Sequence, residues 1–550
     1  MDYFESPSIH CGAPPSIRVQ SIWVFAAAML ASMSGMCAEG TRSTADVDWL
    51  AYNGNSAADR FSPLNEISRA NVRTLTEVGR YTLPETTSFQ TGPIAVAGAL
   101  YVTSATGTYA LNSTNGQLLW SQTYPAKSLG LGTGNRGAAY AEGILYRGTP
   151  DAHVIAMDAK TGRMIWDVEA FEASKGEYIV AAPIVWEGRL YIANAGSDVG
   201  GIGHVRALDL KDGHRLWNFD VVPSSGVGSD TWPADSKKVR AGGGIYTSFA
   251  LDTSDGSLYT PAGNPGPDFA GDYRTGDNLY TGSVLRLDAR TGALRAFHQF
   301  VRHDVHDWDM AASPMLFTSK AGHKRVVAAG KNGYVYALNP DLSQVAYKVA
   351  VTTHANVDAP LTATGTRFCP GTQGGVNWNG AAYSPRENAV YVNSIEWCTV
   401  IKTSPTAPEH QYGVPFLGSS NAFGDSDPNV KAGWLHAIDA DSGKLRWKHH
   451  ASKPLVAAVT PTAGGLVFTG DLDGNLLAFD AASGKLLLTK KAGGPIGGGI
   501  ASYMSKGKQY IAVAAGMKNA IMKTDSGPAT VVIYALPTTT AARAETTTSP

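Results

Sequence analysis

The sequence predicts an all-β protein, an eight-bladed β-propeller of four-stranded antiparallel sheets. Three observations support this fold class: the chain has 61 glycines and 12 tryptophans in 550 residues, only 17% of its residues are charged, and one short motif recurs seven times. Many glycines with regularly placed aromatic residues suit short strands and tight turns. The net charge of -1 argues against a nucleic-acid binder, which would carry a basic excess.

The recurring motif is Ala-x-Asp or Asn, a turn with Gly, and an aromatic residue ten positions after the Ala. Clear copies cover 110–120, 156–166, 207–217 and 437–447, and weaker copies cover 286–297, 337–347 and 478–488. The Asp carboxylate can accept hydrogen bonds from backbone N–H groups of the turn, where Gly supplies a positive φ. We expect each copy to mark the turn before the last strand of one sheet, with its aromatic residue packed on the next sheet.

The spacing of the copies predicts the number of blades. The starts at 110, 156 and 207 are 46 and 51 residues apart, and the step from 437 to 478 is 41. The interval of 79 from 207 to 286 holds one unit with an insertion, and the interval of 100 from 337 to 437 leaves room for one degenerate unit. Eight units fall within the range of about four to eight blades known for propellers. Two separate sandwiches would need a boundary, and no linker breaks the repeat.

Two segments outside the repeats have expected places in the ring. Segment 48–67 precedes the first copy and is expected to supply an outer strand that closes the ring. Segment 402–433 is rich in Pro, Ser and Gly and is expected to cross one face as a long excursion.

The termini predict an exported, periplasmic protein. An apolar run at 21–36 follows Arg18 and is short for a membrane span, so 1–38 is interpreted as a signal peptide cleaved near Ala38. An uncleaved signal acting as a membrane anchor is the alternative. The remaining chain is predicted to be one propeller domain at 39–536 with a disordered tail, rich in Thr and Ala, at 537–550.

The cysteines agree with export. Cys11 and Cys37 lie in or before the signal, which leaves Cys369 and Cys398 as an even pair and a predicted disulfide bond. The sequence contains no CxxCH, so it encodes no covalent haem attachment.

The stretch 303–309 (HDVHDWD) holds three carboxylates and two imidazoles in seven residues. Side chains alternate along an extended segment, so Asp307 and Asp309 would face one side and Trp308 the other. Two close carboxylates can bind a hard cation, or one of them can act as a base. The alternative is a solvated loop of turn-forming Asp residues.

The repeats and several motifs resemble the quinoprotein alcohol dehydrogenases, the pyrroloquinoline quinone (PQQ) enzymes that include methanol dehydrogenase. The resemblance covers about 48–535, and it rests on 135–137 (NRG), 231–236 (TWPADS), 263–267 (GNPGP), 276–278 (GDN), 303–309, 331–333 (KNG), 369–371 (CPG) and 377–378 (NW). It implies an eight-bladed propeller with PQQ and a metal ion on its axis.

The resemblance also implies the roles of individual residues. It implies Ca²⁺ ligation by Asp198, Asn264, Asp307 and Asp309, where Asp309 matches a position linked to lanthanide use in some members. Asp307 is implied as the catalytic base, and Cys369–Cys398 as a structural disulfide. Implied PQQ contacts are Gln90, Arg136, Ser197, Thr247, Lys331, Asn377 and Trp378. These residue types fit the chemistry, since Ca²⁺ takes about six to eight oxygen ligands and Arg pairs with carboxylates.

Some positions depart from the family pattern. Gly130-Leu131 stands where the family often has adjacent cysteines, and Thr247 matches the Trp that forms the floor beneath PQQ. Ile245 and Val180 match two threonines, Gln90 matches a Glu beside the cofactor, and Asp198 matches a longer metal-binding Glu. The resemblance therefore implies an intact carboxylate set and a lost stacking surface.

The leading hypothesis is a PQQ-dependent dehydrogenase for an alcohol, polyol or sugar hydroxyl, which passes electrons to a separate carrier such as cytochrome c. A homodimer is left open. The main alternative is a non-catalytic envelope propeller that has lost quinone binding, which gives no reason for the joint presence of Asp198, Asn264, Asp307 and Asp309. A hydrolase or lyase without quinone lacks support from a nucleophile motif.

Overall fold

Eight antiparallel sheets of four strands, one with an added fifth strand, form the described part of the chain. This computed structural model describes residues 47–538 without 131–133, 407, 422–424, 521 and 525–526. Within each sheet the first strand is more buried than the last, as in Ile94–Val96 and Leu118–Thr123. The first strands therefore face the axis and the last ones the outer rim, and the prediction of an all-β, eight-bladed propeller is confirmed.

The strands, numbered in chain order, begin with β1 (Thr76–Thr82), which belongs to the last blade. Blade 1 contains β2 (Ile94–Val96), β3 (Ala99–Thr103), β4 (Gly107–Asn112) and β5 (Leu118–Thr123). Blade 2 contains β6 (Ala139–Ala141), β7 (Ile144–Gly148), β8 (His153–Asp158) and β9 (Met164–Glu169). Blade 3 contains β10 (Ile184–Trp186), β11 (Arg189–Ala193), β12 (His204–Asp209) and β13 (Arg215–Asp220). A separate pair is formed by β14 (Ala241–Gly242) and β17 (Pro265–Gly266), which lies beside the axis cavity described below.

The remaining blades continue around the ring. Blade 4 contains β15 (Ala250–Asp252), β16 (Ser257–Pro261), β18 (Ser283–Asp288) and β19 (Leu294–Gln299). Blade 5 contains β20 (Met315–Thr318), β21 (Lys324–Ala329), β22 (Tyr334–Leu338) and β23 (Val345–Ala350). Blade 6 contains β25 (Ala381–Ser384), β26 (Ala389–Ile401), β27 (Asp425–Asp439) and β28 (Leu445–Ala451), with β24 (Thr366–Phe368) added to the far end of β26.

The ring ends with two blades and is linked by short helices. Blade 7 contains β29 (Thr460–Pro461), β30 (Leu466–Gly470), β31 (Asn475–Asp480) and β32 (Leu486–Lys491). Blade 8 contains β33 (Ile500–Ser505), β34 (Lys508–Ala515), β35 (Thr530–Ala535) and β1. The described connections include 3₁₀ helices at Val72–Thr74, Ala173–Lys175, Ser197–Val199, Ser229–Thr231 and Gly271–Tyr273. Among the described residues, none of the helices has the length and apolar character needed to cross a membrane.

The repeated motif forms the joint between neighbouring blades. In blade 2, Asp158 Oδ1 accepts the backbone N–H of Thr161 at 2.8 Å, and Gly162 follows with a φ of +74°. The Trp120 ring of blade 1 lies on Gly162, and its Nε1 donates to the Ala159 carbonyl at 2.9 Å. The same indole-to-carbonyl bond joins Trp166 to Leu210, Trp217 to Ala289 and Trp447 to Ala481. The expected packing on the next sheet is confirmed for these four Trp residues and for Tyr347, which lies on Gly443, whereas Phe297 packs against Tyr280 of its own blade.

The number of blades was predicted correctly, but the place of the eighth was wrong. The seven motif copies lie in blades 1 to 7, and blade 8 has no copy. The interval from 337 to 437 contains no degenerate blade, because the connection after β23, the added β24 and the long β26–β27 hairpin fill it. The interval from 207 to 286 holds one unit with an insertion between β13 and β15, as predicted.

The ring is closed by β1, which pairs with β35, so the prediction that 48–67 supplies the closing strand was wrong. Segment 48–67 instead crosses the axis, and its backbone bonds to the innermost strands or strand ends of several blades. These contacts are Trp49 with Ala95, Ser56 with Leu251, Ala57 with Leu316, Asp59 with Tyr383, and Ser62 with Pro461. They lie inside or just after β2, β15, β20, β25 and β29, so the segment covers that end of the central channel.

The structure describes only part of the two termini and of the predicted excursion at 402–433. The predicted signal peptide at 1–38 lies outside the described residues, as does the predicted tail apart from Pro537 and Thr538. The excursion is shorter than predicted, since β27 begins at Asp425. Its first part crosses the face that holds the axis cavity, where the Phe416 N–H donates to the Asp198 carbonyl at 2.7 Å.

The joint between blades 1 and 2 can be tested with two glycines of blade 2. A Cβ on Gly162 would stand 2.6 Å from the Trp120 ring, whereas a Cβ on Gly143 would meet nothing within 4 Å. Both residues have positive φ, so both substitutions carry the same kind of backbone strain. We expect Gly162→Ala to destabilise the protein by about 1–3 kcal/mol more than Gly143→Ala, because the added methyl group would overpack the joint against the Trp120 ring. Denaturant unfolding of both variants measures the difference, and equal losses would contradict the role of the joint.

Candidate active site

A cavity of about 480 Å³ lies on the axis at the end where the innermost strands begin, opposite to segment 48–67. Its walls come from residues that stand just before those strands. They are Gln90 before β2, Arg136 before β6, Val180 before β10, Tyr246 before β15, Asp309 before β20 and Trp378 before β25. Because the inner strands converge on the axis, residues from distant blades meet here.

Ten of the eleven predicted cofactor and metal residues line this cavity. They are Gln90, Arg136, Ser197, Asp198, Asn264, Asp307, Asp309, Lys331, Asn377 and Trp378. Thr247 is the exception: it is buried away from the cavity, and its Oγ1 donates to the Trp378 carbonyl at 3.0 Å. The structure therefore corrects the expectation that Thr247 faces a cofactor.

Lys331 joins the two carboxylates of the 303–309 stretch. Its Nζ lies 2.7 Å from Asp307 Oδ1 and 2.7 Å from Asp309 Oδ2, so both carboxylates face the same side as the alternation predicted. Trp308 faces elsewhere, with its Nε1 donating to the Pro370 carbonyl at 3.0 Å. The stretch is not a regular strand, because Asp307 has a φ of +61°, in the left-handed region that is strained for a non-glycine residue.

Two further loops bring Asp198 and Asn264 to the same cavity. Asp198 lies in the 3₁₀ helix Ser197–Val199, and the Gly244 N–H donates to Ser197 Oγ at 2.6 Å. The Asn264 N–H donates to Asp309 Oδ1 at 2.8 Å, and its Nδ2 donates to the Pro265 carbonyl at 3.3 Å. The Asn264 amide oxygen is left as the atom able to ligate a cation.

The site concentrates negative charge in a buried place. Burial raises the pKa of Asp307 well above its usual value, Lys331 opposes this rise, and Asp309 and Asp198 add to it. Burial, and next Asp309, also raise the pKa of Asp198. Burial disfavours charged Lys331, but Asp307 and Asp309 together raise its pKa well above the ordinary value. One ammonium group therefore stands against several carboxylates, an arrangement that favours a bound cation.

Asp268 is a further buried carboxylate that sequence reasoning missed. It is 3% exposed, and among the described residues its Oδ1 has no hydrogen-bond partner. Burial, followed by the charges of Asp198, Asp307 and Asp309, raises its pKa well above the usual value. Its position four residues after Asn264 was the available signal, since both belong to one loop.

The opposite wall of the cavity is positively charged. Arg136 is 4% exposed, and burial lowers its pKa to about 10. Its Nε donates to the Tyr246 carbonyl at 3.2 Å, and its guanidinium lies 4.5 Å from the centre of the Trp378 ring. Within the described residues its buried Nη1 has no hydrogen-bond partner. A buried, unpaired N–H of a guanidinium is costly unless an anionic group binds there.

Two aromatic residues of the cavity were also missed by sequence reasoning. Tyr178 and Tyr246 both line the cavity, and Tyr246 packs against the same apolar cluster as Trp378. Tyr246 stands one residue before Thr247, so an aromatic surface is present and its expected loss is corrected. Gly130 and Leu131 stand where the family often has adjacent cysteines. Gly130 lies against the Tyr178 ring, and Leu131 lies outside the described residues. Gln373, Lys518 and Asn519 complete the rim.

The predicted disulfide bond is confirmed. Cys369 and Cys398 are bonded with an S–S distance of 2.03 Å. The bond ties the start of the loop that carries Asn377 and Trp378 to β26. Because Trp308 donates to Pro370 in this loop, the bond also supports the strained stretch at Asp307.

The cavity residues fit PQQ and a metal ion. PQQ carries carboxylates, and the unpaired Arg136 Nη1 is suited to one of them. The Asp198, Asp307 and Asp309 carboxylates and the Asn264 amide oxygen are hard donors of the kind that Ca²⁺ binds.

Comparison with known proteins gives consistent results. A family model described as glucose/ethanol/alcohol dehydrogenase, beta-propeller domain, of the PQQ type, matches 49–342 and 342–431. A second, described as outer membrane protein assembly factor BamB, matches 431–526. The quinohemoprotein alcohol dehydrogenase of Comamonas testosteroni is 29% identical over 523 residues, covering 85% of this chain and 72% of that protein. The lanthanide-dependent methanol dehydrogenase of Methylacidiphilum fumariolicum is 28% identical over 519 residues, covering 85% of this chain and 84% of that protein.

A solved structure extends this similarity to three dimensions. The crystal structure of the Comamonas testosteroni enzyme matches with a TM-score of 0.81 and 26% identity, covering 91% of this chain and 81% of that one. The PQQ-type family model alone spans more than half of the 550 residues. The chain therefore belongs to the PQQ-dependent glucose, ethanol and alcohol dehydrogenase β-propeller family, and it is an oxidoreductase of the PQQ-dependent alcohol dehydrogenase type.

Proposed function

We propose that this protein is an exported, periplasmic dehydrogenase that oxidises a hydroxyl of an alcohol, polyol or sugar, and that its electrons pass to a separate carrier such as cytochrome c. The observation that carries the proposal is the convergence of Asp307, Asp309, Asp198 and Asn264 at one cavity, whose other wall holds Arg136 with an Nη1 that has no partner among the described residues. Export is supported by the apolar run at 21–36 and by the disulfide bond, which is typical of oxidising compartments.

The proposed mechanism assigns separate tasks to the two walls. Arg136 would hold a carboxylate of PQQ, with Tyr246 and Trp378 as aromatic neighbours and Gln90, Ser197 and Asn377 as polar contacts. When bound, PQQ would supply a two-electron acceptor for the substrate hydride, and the cation would supply Lewis-acid activation of the quinone. Asp307 would accept the hydroxyl proton at a carboxylate oxygen, and burial, which raises the pKa of this carboxyl group, makes it a stronger base than an exposed Asp. Lys331 holds Asp307 at 2.7 Å and places a positive charge beside the reacting groups.

The cation is proposed to be Ca²⁺ or a lanthanide, held by Asp198, Asn264, Asp307 and Asp309. The single charge of Lys331 does not balance several carboxylates in one buried cluster, so the cluster favours binding of a multivalent cation. The relative named as a lanthanide-dependent methanol dehydrogenase supports including lanthanides.

A non-catalytic envelope propeller is the second candidate, favoured by the BamB-type match at 431–526. That segment includes blade 7 and two of the four strands of blade 8, and it contains none of the four proposed metal ligands. This candidate predicts that the ligands can be replaced without consequence, so the variants below separate the two functions.

Asp307→Asn tests the proposed base. Asn keeps the shape of the side chain but cannot accept the proton, so dye-linked oxidation across a panel of alcohols and sugars should fall about 100-fold or more. PQQ binding, followed by absorbance, should remain. The exposed Asp272→Asn serves as the matched control. Undiminished turnover by PQQ-loaded Asp307→Asn would reject the proposed role.

Arg136→Lys tests the proposed anion contact without relying on turnover. Lys keeps the positive charge but loses the planar fork that pairs with a carboxylate, so PQQ affinity should fall about tenfold or more. Equilibrium dialysis with free PQQ measures this, and the exposed Arg290→Lys serves as the control. An unchanged dissociation constant would show that the unpaired Nη1 binds something else.

A further inference from the structure

Tyr246 connects the two walls of the cavity. Its hydroxyl donates to Asp309 Oδ2 at 2.8 Å, and its carbonyl accepts the Arg136 Nε–H at 3.2 Å. The guanidinium of Arg136 also lies 5.9 Å from the centre of the Tyr246 ring. The tyrosine is therefore fixed from the anion-binding side while its hydroxyl reaches the proposed cation ligand.

Asp309 is held tightly by its surroundings. Its Oδ1 accepts the Asn264 N–H at 2.8 Å and lies so close to Gly263 that a Cβ there would stand 2.7 Å away. Its Oδ2 accepts a hydrogen bond from the Tyr246 hydroxyl at 2.8 Å and forms an ion pair with Lys331 Nζ at 2.7 Å. Backbone and side-chain donors thus fix both oxygens of this carboxylate.

The two donors to Oδ2 respond differently to a cation. A multivalent ion at the carboxylates repels the positive charge of Lys331, whereas the neutral Tyr246 hydroxyl carries no net charge to repel. Tyr246 is then the donor that continues to hold Oδ2. Donors that orient a ligating side chain typically change metal affinity by about 10–100-fold when they are removed.

We propose that Tyr246 is a positioning residue that orients Asp309 as a ligand and so sets the preference of the site for trivalent over divalent cations. The inference rests on the proposed function, because the cation site is part of it. An anionic ligand held in place attracts a trivalent ion more strongly than a divalent ion at the same distance, since the Coulomb energy scales with charge. Losing the orientation should therefore weaken binding of the trivalent ion more.

Tyr246→Phe tests this inference, since it keeps the ring and removes only the hydroxyl. Purified metal-free protein with its disulfide bond intact is titrated calorimetrically with LaCl₃ and with CaCl₂, in the absence of PQQ. We expect La³⁺ affinity to fall about tenfold and Ca²⁺ affinity to fall less, so the ratio of the two decreases. Tyr259→Phe is the matched control, because Tyr259 is a buried tyrosine of blade 4 whose hydroxyl bonds the Pro340 carbonyl away from the cavity.

The outcomes separate the inference from the proposed function. A decreased La³⁺ to Ca²⁺ affinity ratio in Tyr246→Phe alone supports the inference. An unchanged ratio overturns it, whether both affinities stay the same or fall equally. A wild-type protein that binds neither cation overturns the inference together with the cation part of the proposed function. A separate absorbance titration with PQQ tests the cofactor part of the proposed function. If the La³⁺ to Ca²⁺ affinity ratio decreases in Tyr246→Phe but the wild-type protein does not bind PQQ, the proposed function is overturned and the inference stands.

Discussion

The contact of a repeat glycine with an aromatic ring of the preceding blade is the constraint on which the rest of the structure depends, and it occurs at Gly162, Gly213, Gly292, Gly443 and Gly484. In the blade 1 joint, the Trp120 ring occupies the space that a side chain at 162 would fill, and its indole bonds the next blade. Repeated around the ring, such joints set how neighbouring sheets pack. The innermost strands then converge, and the residues before them meet on the axis. A site made from widely separated segments requires this convergence.

The axis site contains more buried negative charge than positive charge on one of its walls. Carboxylates at 198, 268, 307 and 309 lie in a buried region whose nearest ammonium is Lys331. Across the cavity, Arg136 is buried, and its Nη1 finds no hydrogen-bond partner in the part of the chain that the structure describes. Each wall is unfavourable alone, because buried charges need counter-charges. A cation and an anionic cofactor would relieve both walls, and this complementarity explains why polar residues are tolerated at the centre of an apolar fold.

The strained backbone at Asp307 is supported from outside the cavity. Trp308 bonds Pro370, and the Cys369–Cys398 disulfide ties the neighbouring loop to β26. Segment 48–67 bonds several inner strands at the other end of the channel. The chain thus closes one end of the axis with its own backbone and leaves the other end for binding. This asymmetry cannot be read from the repeats, because it depends on residues outside them.

The sequence by itself determined the fold class, the number of blades, the disulfide pair and most of the cavity residues. The fold class and the number of blades follow from local patterns, since turn chemistry and side-chain alternation act over a few residues and seven of the eight blades show the motif. The disulfide pair follows from the cysteine count, and the cavity residues follow from the resemblance of the motifs to the quinoprotein family. Only the tertiary structure decided that β1 closes the ring, that blade 8 carries no motif, and that Tyr246 rather than Thr247 faces the cavity. The closure of the ring depends on which distant strands pair. The choice between Tyr246 and Thr247 depends on which of two consecutive side chains before β15 points toward the axis, and the sequence of this segment does not show that direction.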